Sequence, residues 1–248
     1  MRCTVPGLLG CLLVACGLLI ATPGSSWAQQ DSVPPGYPHS LERELALQLS
    51  LRAPESRDVG VLLRLAELYL DLGDDLYADE GQKRKVYEEG AAVAKRAMIL
   101  DDRSAHAHFL YAATTGSVAK LKGLTAGPLV IKELKRHVER ALELLPTHAQ
   151  ALQMMGGLLA ELPWLLGGDQ ATAETYLKRA IAADSKFTNA RLILAKLYLK
   201  QDREGEARVQ LQALIDTDHP HYPYAWTTKF KPEAERLLKE LDTPPPNP

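Results

Sequence analysis

The chain has 248 residues, a formal net charge of −2 and 46% hydrophobic residues. A charge so close to neutral argues against nucleic acid as a partner, because binding to a phosphate backbone needs clustered Lys and Arg. All three cysteines, Cys3, Cys11 and Cys16, lie near the N-terminus, which leaves the rest of the chain without a disulfide, a thiol nucleophile or a cysteine-ligated metal. No later apolar run approaches the roughly 20 residues needed to cross a bilayer.

Residues 1–28 are predicted to be a signal peptide. Arg2 precedes an apolar run from Val5 to Ala21, and Ser26-Trp27-Ala28 has the small-residue pattern of a cleavage site. A competing signal is Leu13-Val14-Ala15-Cys16, the spacing at which a peptidase leaves a lipidated cysteine, although the apolar run continues beyond it. We therefore expect export to a bacterial periplasm. The alternative is an outer-membrane lipoprotein lipidated at Cys16, the one case in which a membrane would be a partner.

Residues 29–39 and 243–248 are predicted to be unstructured, with one helical domain over residues 40–242. The first segment is polar with three prolines, and the last reads Thr-Pro-Pro-Pro-Asn-Pro. Between them, apolar residues recur at steps of three and four, which is helical periodicity. No stretch alternates convincingly with period two, so the expected fold class is all-α.

Small residues recur in a register that predicts four helix pairs. They are Ala66, Ala112, Gly156 and Ala195, then Gly90, Ala173 and Ala207, then Ala97, Ala141 and Ala180. These match positions 8, 20 and 27 of the tetratricopeptide repeat, where helices A and B pack, although Leu134 at position 20 and Leu214 at position 27 depart from the rule. We predict a tetratricopeptide solenoid, with a lead-in helix over Ser40–Leu51 and a capping helix over Pro232–Leu241.

The spacing of these positions predicts where extra residues lie. From position 20 to the next position 8 the distance is 22 each time (112−90, 156−134, 195−173). From position 8 to position 20 of one unit it varies as 24, 22, 17 and 12 (90−66, 134−112, 173−156, 207−195). The inserted residues therefore lengthen the A–B hairpins and project from one edge of the solenoid.

Two kinds of motif carry a family resemblance. The segments Lys95–Asp102, Glu139–Pro146 and Lys178–Asp184 are variations on one phrase, and Leu162–Asp169 leads into Tyr176–Ile181 after a stretched hairpin. Over about residues 58–220 the chain resembles TatT, the tetratricopeptide component associated with TRAP transporters, and more distantly the regulator of microtubule dynamics proteins. The TatT resemblance implies a periplasmic helical protein, often a lipoprotein, that works with a solute-binding protein.

The A helices are expected to line a concave groove, the candidate binding site. Its lining residues are predicted to be Leu63, Glu67, Leu70, Phe109, Ala113, Gly116, Gln153, Gly157, Ala160, Leu192, Lys196 and Leu199. One lysine is too few to clamp peptide carboxylates, so the groove suits an apolar helix or an amphipathic ligand. Filling of the groove by the elongated hairpins is an equal alternative.

No residue pattern indicates catalysis, a metal or a cofactor. Neither His106 with His108 nor His219 with His221 has the i, i+4 spacing of helical metal ligands, so ordinary surface or partly packed histidines are expected. Gly167-Gly168-Asp169 is interpreted as a helix start rather than a phosphate cradle. The first hypothesis is a non-enzymatic adaptor for another envelope protein or peptide. The alternative is a carrier of an organic acid or apolar solute, and self-association is left open.

Overall fold

The computed structural model describes residues 32–123 and 127–243. Within these ranges the chain forms helices and turns and no β-strand. None of the described helices is long and apolar enough to span a bilayer. The predicted signal peptide, with the lipidation candidate Cys16, and residues 244–248 of the predicted tail lie outside the described residues.

Four antiparallel helix pairs follow a lead-in helix, α1 (Ser40–Ser50). The pairs are α2 (Val59–Asp71) with α3 (Glu80–Leu100), α4 (Ala105–Leu121) with α5 (Pro128–Leu144), α6 (Ala149–Glu161) with α7 (Gln170–Ala183), and α8 (Thr188–Leu199) with α9 (Glu204–Ile215). The chain ends in α10 (Pro223–Ala225), a π-helical turn (Trp226–Phe230) and α11 (Lys231–Asp242). The predicted all-helical tetratricopeptide solenoid is confirmed.

Side-chain caps determine where several of these helices begin. Asp58 accepts hydrogen bonds from the backbone N–H groups of Gly60 and Val61, and Asp169 accepts from those of Ala171 and Thr172. Asp79, Ser104 and His148 play the same part for α3, α4 and α6. Each such cap satisfies an N–H group that has no partner inside the helix, and stabilises the helix by about 1 kcal/mol.

The small residues of the repeat register lie in the core between helices. All ten are buried. At Gly156 an added Cβ would lie 2.7 Å from Leu177 Cγ and 3.1 Å from the backbone oxygen of Ala173, so α6 and α7 approach too closely for any side chain there. The exceptions Leu134 and Leu214 are also buried, and their larger side chains fill the core where the register departs from the small-residue rule.

The inserted residues lie between helices A and B of the first three pairs, but only part of them forms loops. After α2 the chain makes a π-helical turn (Leu72–Leu76), and the next helix, α3, is 21 residues long. In the second pair α4 and α5 each reach 17 residues, while the third pair carries its insertion in the turn 162–169. Extending a helix pairs each added backbone N–H and C=O group internally, which a long loop would leave to other partners.

Candidate functional site

The groove is defined here as the surface formed by α2, α4, α6 and α8. Of the twelve residues predicted to line it, Phe109 and Leu192 are buried, Lys196 is exposed and the other nine are partly exposed. Lys196 Nζ lies 2.9 Å from Glu233 Oε1 of α11, so the capping helix already pairs the one predicted groove lysine. Phe109 is only 8% exposed, which means that this position is covered by other parts of the protein.

A segment from the C-terminal part of the chain crosses the groove. We call residues 219–230 the strap. Gln150 Nε2 on α6 donates a hydrogen bond to the hydroxyl oxygen of Tyr222 at 2.5 Å. Lys229 Nζ donates to the backbone oxygen of Asp74 and to Asp75 Oδ1, both at 2.7 Å, although these residues belong to the first helix pair. The strap therefore connects the fourth pair to the first across the groove.

The strap is anchored beside α8 by a second set of contacts. His221 Nδ1 lies 2.5 Å from Asp184 Oδ2, and the backbone N–H of His221 donates to the backbone oxygen of Lys186 at 3.1 Å. The ring of Tyr222 lies 5.7 Å from that of Phe187. Trp226 Nε1 donates to the backbone oxygen of Leu214 at 2.9 Å. These bonds fix the point from which the strap departs toward the first pair.

Tyr37 meets the strap from the N-terminal side. Its hydroxyl donates to the carboxylate of Asp75, and its ring lies 5.0 Å from that of Tyr224 in an edge-on arrangement. Burial and the neighbouring Asp71 raise the pKa of Tyr37, which keeps the hydroxyl protonated as a donor. The sequence predicted an unstructured linker over residues 29–39. In the structure residues 34–39 instead form a turn, with Ser40 N bonded to Gly36 O at 2.8 Å.

The strap and Tyr37 together occupy the groove. The sequence left open an empty groove or one filled by the elongated A–B hairpins. Both terminal segments of the described chain cover it instead, because the solenoid brings the first and last pairs within reach of one short segment. The groove is therefore crossed by a segment of the chain itself, from the fourth helix pair to the first.

Carboxylates gather where α2 ends and the strap arrives. Asp71, Asp74 and Asp75 follow one another there, and Glu67 lies one turn earlier. Burial raises the pKa of Asp71 well above its ordinary value, Asp75 raises it further, and Arg64 opposes them. Partial desolvation of its carboxylate also raises the pKa of Asp74, although the hydrogen bond from Tyr87 opposes the rise. The predicted apolar lining is therefore corrected at this end of the groove, which is acidic and receives the ammonium group of the strap.

Two histidines form a directed hydrogen-bond chain inside the groove. The backbone N–H of Ala151 donates to His148 Nδ1 at 3.3 Å, so His148 carries its proton on Nε2. That proton points to His106 Nδ1, 3.3 Å away, which leaves His106 Nε2–H to donate to Glu67 Oε1 at 2.7 Å. The chain continues through Arg64, whose Nη1 lies 3.6 Å from Glu67 Oε2.

A second histidine pair lies between α4 and α5. His108 Nε2 donates to the backbone oxygen of Asp102 at 3.1 Å, so its Nδ1 accepts from His137 Nδ1 at 3.0 Å. The remaining nitrogen of His137 accepts from Arg136 Nη2 at 2.8 Å. Burial lowers the pKa of His137 to about 4, with Arg136 contributing. The prediction of surface or partly packed histidines is thus wrong for His108, which is buried in this pair.

The twelve residues predicted to line the groove do not include most of the side chains that make its polar contacts. His106 and Gln150 both occupy position 2 of their A helices, counted from Ala112 and Gly156 at position 8, so the repeat register could have found them. Tyr37, Tyr222 and Lys229 lie outside the four repeats, and no repeat position indicates where they fold. Among the described residues, no group of three or more His, Cys, Asp or Glu side chains is arranged to hold a metal ion.

Comparison with known proteins identifies the family. The family model for regulator of microtubule dynamics protein 1-3 matches residues 31–165, more than half of the chain. A family model for the tetratricopeptide repeat matches residues 165–229. Regulator of microtubule dynamics protein 1 of Bos taurus is 31% identical over an alignment of 219 residues that covers 81% of this chain and 67% of that protein. This chain belongs to the regulator of microtubule dynamics protein 1-3 family. Regulator of microtubule dynamics protein 1 of Pongo abelii is 30% identical over an alignment of 177 residues that covers 65% of this chain and 56% of that protein.

A solved structure supports the fold independently. The crystal structure of TTC0263, a thermophilic TPR protein in Thermus thermophilus, superposes with a TM-score of 0.52. At 18% sequence identity the match covers 82% of this chain and 100% of that chain. At this level of sequence identity, structural similarity is evidence for the fold alone. The tetratricopeptide architecture thus extends beyond the part that the regulator of microtubule dynamics model matches, in agreement with the repeat model over residues 165–229.

The family corrects the predicted location. The expectation of a bacterial periplasm, with an outer-membrane lipoprotein as its alternative, is wrong, because the matched relatives are regulators of microtubule dynamics from mammals. That expectation depended on the apolar run of residues 5–21, which lies outside the described residues. The more distant of the two resemblances is the one that these matches support. The matches do not support the resemblance to TatT or a role with a TRAP transporter.

Proposed function

We propose that this protein is a scaffold that binds a short segment of a partner protein in its groove, in exchange for its own strap. One observation carries the proposal: the strap is itself a peptide segment held in the groove by contacts to the first, third and fourth helix pairs. Solenoids of this kind use their inner surfaces to bind extended protein segments. The strap indicates which chemistry this surface accepts.

That chemistry is aromatic and cationic rather than purely apolar. The strap offers a tyrosine hydroxyl to Gln150 and an ammonium group to Asp75. Asp71 and Asp74 beside it have raised pKa values, so a cation supplied by a ligand relieves carboxylate crowding at this end. A partner segment with a lysine or arginine and one or two aromatic residues fits the same positions.

The strap is held weakly enough to be exchanged. Of its twelve residues, 219–230, only Pro220 and Ala225 are buried. Lys229 is exposed, and ion pairs of exposed side chains stabilise a structure by about 1 kcal/mol or less. A partner segment therefore competes with this ion pair and with the partly buried rings of Tyr222, Trp226 and Phe230, which pack against the core.

The names of the relatives suggest which partners to test first. They are called regulators of microtubule dynamics, so proteins of the microtubule system are the first candidates. The small-molecule carrier is less well supported, because Tyr222 and Tyr37 occupy the space in which an enclosed ligand would lie. The scaffold is proposed to act by binding, without catalysis.

A peptide supplied in trans tests the proposal. A labelled peptide with the sequence of residues 219–230 is titrated against the full chain and against the variant Tyr222→Ser, Lys229→Glu, in which the strap is released. We expect the released variant to bind the peptide at least about tenfold more tightly than the wild type, whose own strap competes. Circular dichroism checks that the variant keeps its helices, and the single variant Lys229→Glu serves if the double variant unfolds.

The controls separate exchange from non-specific binding. Lys239→Glu removes an exposed lysine on α11 that is outside the groove, so this variant should bind the peptide as weakly as the wild type. A peptide with glutamate in place of the lysine corresponding to Lys229 should lose most of its affinity, because it meets Asp74 and Asp75 with the wrong charge. Equal binding of the strap peptide to wild type and released variant contradicts the proposal, as does no binding to a folded released variant.

A further inference from the structure

Apolar side chains are exposed together at the edge formed by the A–B connections. In the turn between α6 and α7, Trp164 is 79% exposed and Leu165 is 73% exposed, and Leu129 in the first turn of α5 is 82% exposed. Leu166 and Pro128 line one cleft, which places the turn beside the start of α5. Single exposed apolar residues are common on proteins, but a tryptophan and a leucine side by side at a protruding turn are not.

The backbone N–H groups of the turn that carries Trp164 and Leu165 bond within the turn, so they need little hydrogen bonding to water. Leu166 N and Gly168 N both bond to Pro163 O, at 2.9 and 3.0 Å, and Gly167 N bonds to Trp164 O at 3.0 Å. Gly167 has φ +81°, a value that glycine adopts without strain, and it closes this single 3₁₀ turn. The backbone donors after Leu165 are therefore paired within the turn. Such pairing is what a backbone needs when its side chains leave water for an apolar phase.

Positive charge lies next to the apolar turn. The cleft between the turn and α5 is lined by Lys132, Lys135 and Arg136, with Glu139 as its one acidic residue. Lys135 Nζ also donates to Gly167 O at 3.1 Å, which ties the turn to α5. The nearby Asp169 is engaged as the N-cap of α7, bonded by Thr172 and Ala171. The net charge at this edge is therefore positive, and it lies around the exposed aromatic and aliphatic side chains of the turn.

We propose that this edge docks on the surface of a membrane that contains anionic lipids. Trp164, Leu165 and Leu129 enter the interfacial region, where a tryptophan ring is favoured, while the lysines of α5 contact lipid phosphates. The tip is convex. A bilayer accepts a protruding apolar turn without a preformed pocket, whereas a protein partner needs a cavity of matching shape. Charge complementarity with acidic headgroups then orients the groove relative to the membrane.

Vesicle binding by the full chain tests this proposal. Sedimentation is measured with phosphatidylcholine vesicles and with vesicles that contain about 30% phosphatidylserine, a strongly anionic surface. We expect binding to the anionic vesicles that weakens with added salt, and an at least tenfold loss of binding, roughly, for Trp164→Ser, Leu165→Ser. Lys132→Gln should weaken binding about fivefold. The difference between wild-type and Trp164→Phe emission spectra should shift to shorter wavelength on binding.

A matched control removes an equally exposed apolar residue from the opposite edge. Ile99, 77% exposed near the end of α3, lies beside the connection between the first and second pairs. Ile99→Ser should bind vesicles like the wild type. The proposal is overturned if the wild type does not bind anionic vesicles, or if the Trp164 and Leu165 variant binds them unchanged. It is equally overturned if the tip variant loses a protein partner while the wild type ignores vesicles.

Discussion

Lys229 and Asp75 form an ion pair between residues 154 positions apart in the chain, with Nζ 2.7 Å from Oδ1. The two hydrogen bonds described between the strap and the first helix pair both come from Lys229, so its ammonium group is central to closure. We expect Lys229→Glu to place like charges together and weaken closure by on the order of 1 kcal/mol. Hydrogen exchange in residues 219–230 should then be about fivefold faster. Lys239→Glu is the matched control, and unchanged exchange in the Lys229 variant would show that the strap is held by its other contacts.

Asp71 stands among Asp75, Asp74 and Glu67, and we expect its neutralisation to stabilise the protein. Because its pKa is raised on folding, the folded state binds this proton more tightly than the unfolded state, and stability is lost as the pH rises. Asp71→Asn should therefore raise the thermal midpoint at pH 7, by roughly 2–4 °C for each kcal/mol gained. The gain should shrink at acidic pH, where Asp71 is already protonated. The exposed Asp218→Asn serves as control, and a lowered midpoint for Asp71→Asn would reject the crowding.

The buried histidines should make the fold sensitive to acid. Burial, together with the neighbouring His106, lowers the pKa of His148 to about 4, whereas an unfolded histidine titrates near 6.5. Below about pH 6.5 the unfolded state binds more protons, so stability falls from there to about pH 4, by up to about 3 kcal/mol for this residue.

The variant His148→Asn isolates this contribution. Asparagine can keep the cap on Ala151 but cannot take up a proton, so urea unfolding between pH 6.5 and 4 should show a shallower loss of stability than in the wild type. His39→Asn changes an exposed histidine outside the strap and should leave the acid profile as it is. The same slope in His148→Asn and wild type would mean that His148 is already charged in the fold.

Ala180 tests the packing of adjacent helix pairs. Its side chain is fully buried on α7 at position 27 of its repeat, so Ala180→Phe should overpack the interface and destabilise the fold by roughly 1–3 kcal/mol. Ala182→Phe, two residues later on the exposed side of the same helix, is the matched control and should leave the thermal midpoint nearly unchanged. Equal midpoints for the two variants would show that the repeat register is displaced.

Much of the architecture could be predicted because it depends on local spacing. Ala66, Ala112, Gly156 and Ala195 recur in one repeat register, and each is buried where two helices cross. A small residue at such a position is required whichever side chains surround it. The sequence predicted the insertions between the correct helices, but it did not predict their shape. A longer helix, as in α3, and a loop, as at residues 162–169, both fit the same spacing between repeat positions 8 and 20.

The polar site was predicted poorly for a different reason. A histidine pattern such as His106 and His108 contains no information about His148 and His137, the rings that each one meets across a helix interface. Which nitrogen carries the proton follows only from the partner on the other side of each ring. Neighbouring histidines of one helix thus entered separate networks, one in the groove and one in the core.

The sequence by itself determined the helices, their pairing into four repeats and the residues at which they cross, because these follow from periodicity and side-chain size over short stretches of chain. Tertiary structure alone decided that Tyr37, Tyr222 and Lys229 meet over the groove and that Asp71 is crowded by like charges. Such contacts join residues up to 154 positions apart, and their distance in space is set by the accumulated curvature of four stacked helix pairs, which no local pattern encodes.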